Sequence, residues 1–120
     1  MFSNQRLGAG AEMIVSDDVA VEMLRATAAQ ARPFARARWE HELIEWLELR
    51  AAGGPTFDVG DIAWTPDHFE AQRRFLLEAM SRAAAESVHG MAFERWRGLI
   101  EAHPRASVLV GRRWQRQTSN

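Results

Sequence analysis

The chain has 120 residues, 47% of them apolar and 26% charged, which excludes disorder throughout and predicts one globular domain able to bury a core. It has no cysteine, so disulfides, cysteine-ligated zinc, iron–sulfur clusters and thiol catalysis are removed together. A net charge of −1 argues against a strongly basic nucleic-acid binder, and no apolar run approaches the roughly 18–20 residues of a membrane span.

Residues 1–15 are polar and glycine-bearing and read as a flexible arm, with a short extended piece at 12–15. The arm lacks a basic segment followed by an apolar one, so the expectation is a soluble, cytoplasmic chain without a signal peptide. Ser16 followed by Asp17 and Asp18 predicts a helix start, a capping side chain with acids where the helix dipole favours them. Val21, Leu24, Ala28 and Ala31 then recur at helical spacing. This narrow, alanine-rich stripe suits close approach of a neighbouring helix, within the chain or across a two-fold homodimer.

Pro33 predicts a break at Arg32, because a proline inside a helix removes a hydrogen bond and presses on the preceding turn. A second helix is predicted over 34–52, with Trp39, Leu43, Trp46 and Leu47 on one face and Ile44 beside them. Arg36–Glu40 and Arg38–Glu42 have the spacing of ion pairs on its other face. Gly53, Gly54 and Pro55 form a stop signal, read as a left-handed glycine cap followed by a residue that cannot continue the helix.

Residues 53–65 make a loop-rich middle whose Phe57, Val59 and Ile62 are apolar enough to lie on a core. Thr65, Pro66 and Asp67 predict the next helix start, with Thr65 as the cap and Trp64 and Phe69 as the ends of a hydrophobic staple. Phe69, Gln72, Leu76, Met80 and Ala83 trace its buried stripe, flanked by Phe75 and Leu77. Asp67, Glu70, Arg74, Glu78 and Arg82 fall on the opposite, solvated face. Gly90 marks a turn, and a fourth helix is predicted over 91–102 with Ala92, Phe93, Trp96, Leu99 and Ile100 inward. His103 falls on that apolar side and reads as a buried, satisfied histidine. The fold class is therefore all-α, a bundle of about four helices. The tail over 105–120 carries a short apolar run at 108–110, compatible with a strand beside the Phe57–Val59 loop or with a last helical turn.

Every basic residue is arginine, and the chain has no lysine. Arginine pairs bidentately with carboxylates and stacks on aromatic faces, whereas Schiff-base and P-loop chemistry needs an amine that is missing here. The charge is unevenly placed. Residues 1–102 hold 11 arginines against 16 acids, a surplus of five negatives, while 103–120 hold four arginines and no acid.

His41, Glu42 and Glu45 spell H-E-x-x-E, one letter from the H-E-x-x-H of zinc hydrolases. His41 and Glu45 with Glu48 a turn further on are thus weak metal candidates, set against a charged helical surface where such letters fall by chance. Glu86 and His89 supply a single E-x-x-H, where a di-metal bundle needs two. No G-x-S-x-G elbow, Walker loop or dinucleotide fingerprint is present.

Arg112, Arg113, Trp114 and Arg116 interleave guanidinium groups with an aromatic, the residue types most enriched at binding hot spots. Their readings rank as docking on the chain's own acidic body first, on another protein second and on nucleic acid third. A helix-turn-helix ending in the helix after Thr65 is disfavoured, because 53–65 is far longer than its turn. The expectation is a small non-enzymatic protein-binding module of inhibitor or immunity type, with another protein as partner and no cofactor. The alternatives are a metal-dependent enzyme on the His41/Glu45 face and a nucleic-acid regulator using the Arg/Trp tail.

Overall fold

Ser16 begins the first helix as its sequence predicts: the hydroxyl accepts a hydrogen bond from the Val19 amide at 3.3 Å, and Asp17 and Asp18 occupy the first turn. A computed structural model describes Phe2–Ser3 and residues 12–103 of the chain. These are mostly helical, in four helices: α1 (Asp17–Ala31), α2 (Arg38–Gly53), α3 (Phe69–Ala85) and α4 (Gly90–Glu101). Three two-residue strands, β1 (Phe2–Ser3), β2 (Glu12–Met13) and β3 (Phe57–Asp58), form a small sheet in the order β2-β1-β3. β1 pairs antiparallel with β2, Phe2 opposite Met13, and parallel with β3, Phe2 opposite Phe57.

α1 packs against both α2 and α3, α3 also contacts α4, and β2 lies against α4. The buried face of α1 is Ala20, Met23, Leu24, Thr27, Ala28 and Ala31. Val21, expected in this stripe, is only half-buried. The alanines are covered within the chain, and α3 brings its own buried Ala79 and Ala83. Small side chains on both helices allow their backbones to approach closely. Thr27 is polar but fully buried, and its hydroxyl is satisfied by donating to the Met23 carbonyl at 2.7 Å.

Pro33 breaks the chain as expected, with a 3-10 turn over Arg32–Phe34 between α1 and α2. The second helix begins four residues later than its periodicity predicts. Its cap is Ala37, which offers no side-chain acceptor, and Glu40 instead reaches back to the amides of Arg36 and Ala37, both at 2.7 Å. The Arg36–Glu40 ion pair is therefore not made. The Arg36 guanidinium donates to the carbonyls of Pro33 and Ala35, while Arg38–Glu42 forms at 3.1 Å. Gly54, expected in a left-handed cap, has φ 165°, an extended backbone that any residue adopts, and its amide returns to the Arg50 carbonyl at 3.0 Å.

The start of α3 also differs from expectation. The helix begins at Phe69, not Pro66, and Thr65 is not its cap. The Thr65 amide donates to the Gln72 side chain at 2.9 Å, and the Thr65 carbonyl accepts from the His68 amide at 3.2 Å, closing a turn ahead of the helix. Trp64 and Phe69 nevertheless meet, with ring centroids 5.0 Å apart.

One hydrophobic core gathers all four helices and the small sheet. Phe2 and Met13, from the stretch that the sequence reads as a flexible arm, belong to it. The Phe2 ring lies 4.8 Å from both Phe57 and Trp96, so the sheet is fastened to α4 by aromatic contact. Trp46 meets Phe57 edge-on at 4.7 Å but is only half-buried, with Arg50 over its ring. The predicted tail strand or turn at 108–110 lies outside the described residues; the strand that pairs with Phe57–Asp58 is Phe2–Ser3.

Candidate functional site

His41, Glu45 and Glu48 lie along α2 and all are solvent-exposed. Glu48 forms an ion pair with Arg32 across the break between the first two helices. Among the described residues, no group of three or more His, Cys, Asp or Glu side chains is placed to hold a metal ion. Arg112, Arg113, Trp114 and Arg116 lie outside the described residues.

The other histidines take structural places. His103 is buried as expected, stacked on Trp64 at 6.0 Å and against Phe69 at 5.9 Å. His68 stacks on Trp39 at 5.6 Å, and its Nδ1 lies 3.2 Å from the Thr65 hydroxyl. His89 Nε2 is 2.7 Å from a Glu22 carboxylate oxygen, tying the α3–α4 turn to α1. A second tie, Gln30 Nε2 donating to Glu86 at 3.0 Å, crosses the same crevice of about 520 Å³. Two pairs of polar side chains along this crevice thus satisfy one another, while Arg25 on its lining is exposed.

A different surface has groups to spare. The outer side of α3, read from sequence as a solvated face, joins α4 to line an open groove of about 430 Å³. Arg73, Arg74 and Arg82 of α3 and Arg97 of α4 set four guanidinium groups there against the two carboxylates of Glu70 and Glu78. Leu77, half-buried against the core, and Ser81 complete the lining.

Helical spacing explains the grouping. Glu70, Arg73, Arg74, Leu77, Glu78, Ser81 and Arg82 recur at intervals of three and four, so they share one side of α3. Arg97 reaches it only because α3 and α4 pack together.

The four arginines are not equivalent. Arg73 ends α4: it donates to the carbonyls of Glu101 and His103, each at 3.2 Å, pairs with Glu70 at 2.7 Å and lies over the Phe69 ring. Carbonyls at a helix C-terminus have no partner within the helix, and a cation is favoured there. Arg82 donates to the Gln30 carbonyl at 3.2 Å and stacks 4.1 Å above Phe34, joining α3 to the break after α1. Arg97 makes one contact, to Glu101 at 3.3 Å, and its Nε–H is covered without a partner. Arg74 is exposed and has no hydrogen bond or ion pair among the described residues.

Comparison with protein-family models, curated proteins and solved structures gives no match to this chain. Its functional reading therefore rests on the residues themselves. The arrangement sets four cations around one apolar side chain, Leu77, which suits recognition of an anionic, partly apolar surface.

Proposed function

We propose that the chain is a small protein-binding module of inhibitor or immunity type, which neutralises or scaffolds a partner protein and performs no chemistry of its own. The observation that supports this reading is the α3/α4 groove: arginines and an apolar residue presented on two packed helices, outside the hydrophobic core. A helix that is already packed loses little backbone freedom on docking, so more of each contact is retained as affinity. Outside the groove, Val88, 94% exposed in the α3–α4 turn and on the edge of the α1 crevice, and Met91, 81% exposed at the start of α4, are further apolar surface. Arginine and exposed apolar groups together are the composition of binding hot spots and their surroundings.

The test is recovery of the tagged chain from its native host. A single protein retained in fixed stoichiometry through high-resolution size exclusion is the expected result. A chain that elutes alone under all conditions, or with nucleic acid and no protein, contradicts the reading.

A further inference from the structure

We infer that the α3/α4 groove takes a short acidic segment of the partner protein, with Arg74 and Arg97 pairing its carboxylates and Leu77 receiving an apolar side chain between them. This inference rests on the protein-binding reading and narrows it to one partner chemistry.

The assignment follows from which guanidinium groups are already engaged. Nη1 of Arg73 holds the two carbonyls that end α4 and Nη2 pairs with Glu70, while Arg82 is held by the Gln30 carbonyl and the Phe34 ring. Those two arginines build the groove. Arg74 has no partner among the described residues, and Arg97 has a single long contact, from Nη2 to Glu101; the Nε–H groups of both Arg82 and Arg97 are covered and do not distinguish them. The Arg97 side chain is 38% exposed, and a partner carboxylate can accept from its terminal nitrogens in a charge-assisted hydrogen bond.

Charge complementarity selects the occupant. The groove is lined by four cations and two anions, and with Glu101 paired to Arg97 one positive charge remains in surplus, so a local anionic group is favoured. Glu70 and Glu78 interrupt the arginines, and residues 1–102 as a whole carry five more acids than arginines. A long polyanion such as nucleic acid would lie across that negative surface. A short segment with separated carboxylates avoids it, and an apolar side chain within the segment has Leu77 to rest on.

The probe is an acetylated peptide alternating glutamate and leucine, titrated into the whole chain by calorimetry. Its glutamine–leucine counterpart, inorganic phosphate and a thymidine oligonucleotide serve as comparisons. Only the glutamate peptide is expected to bind, and more weakly as salt rises. Arg74→Glu is expected to weaken binding about tenfold or more, with a slightly lower melting temperature because the new glutamate lies one turn from both Glu70 and Glu78. Arg74→Gln is expected to fall between.

No detectable binding of the glutamate peptide, equal binding of the glutamine peptide, an unchanged affinity in Arg74→Glu, or preference for phosphate or the oligonucleotide would each overturn the inference. If the peptide fails while a protein still co-purifies with the chain, only the acidic-segment inference is lost. If no protein co-purifies, the broader reading is lost with it.

Discussion

Phe2 does more than its position near the chain terminus suggests. Its ring fills the space between Phe57 and Trp96 and is fully buried. Phe2→Ala removes that volume from a site bounded by rigid aromatics, and the expected loss is about 3–5 kcal/mol in denaturant unfolding. A native-like midpoint would place Phe2 outside the core. Gln72 carries a different kind of constraint. It is buried on the apolar stripe of α3, where its oxygen accepts from the Thr65 amide at 2.9 Å and its nitrogen donates to the Ala63 carbonyl at 2.8 Å. Gln72→Leu keeps the approximate shape but strands both backbone groups, at an expected cost of about 2 kcal/mol by the same measurement. Stability equal to or above that of the parent chain would show that water replaces the glutamine. The sequence places Gln72 on the correct face by spacing, but nothing in its letters points to partners seven and nine residues earlier. Phe2 is similarly silent, because one aromatic among polar neighbours has no periodicity to read.

Helix interiors are legible and helix starts less so. The buried stripe of α3 is Phe69, Gln72, Phe75, Leu76, Ala79, Met80 and Ala83, and all but Ala79 stand on or beside the face predicted by apolar spacing. Such spacing reports which side meets the core, whatever the neighbours are. A cap depends on where a few backbone groups find partners, and tertiary contacts change that. Thr65, Pro66 and Asp67 have the letters of a helix start, yet the Thr65 amide is taken by Gln72 and the helix waits until Phe69. At α2 the imbalance lies the other way: Glu40 already reaches the backbone, but the Ala37 side chain cannot accept from the first turn. Ala37→Ser supplies the missing half of a capping box and is expected to raise stability by about 1 kcal/mol, seen as a higher denaturation midpoint. An unchanged or lower midpoint would mean that the serine hydroxyl does not reach the first-turn amides.

Among the described residues, four helices close around one core because each carries an apolar face and the breaks at Pro33, Gly54 and residues 86–89, just ahead of the predicted turn at Gly90, allow the chain to turn back. That architecture is readable because burial leaves a periodic trace in the sequence. The groove leaves none. Arg74 and Arg82 fall on what spacing marks as a solvated face, Arg73 reads as one more charge, and Arg97 arrives from another helix. Their convergence exists only once α3 and α4 are packed, and the division into structural and available guanidinium groups depends on contacts distant in sequence. The H-E-x-x-E letters of α2 show the reverse: a conspicuous local pattern whose side chains stay exposed, with Glu48 engaged by Arg32. The central claim is that recognition resides on the α3/α4 face. Chemical-shift mapping of the isotopically labelled chain, titrated with the protein it co-purifies with, tests that claim most directly. The largest changes are expected at Arg74, Leu77, Ser81 and Arg97; changes gathered around His41 and Glu45, with α3 and α4 silent, would contradict it.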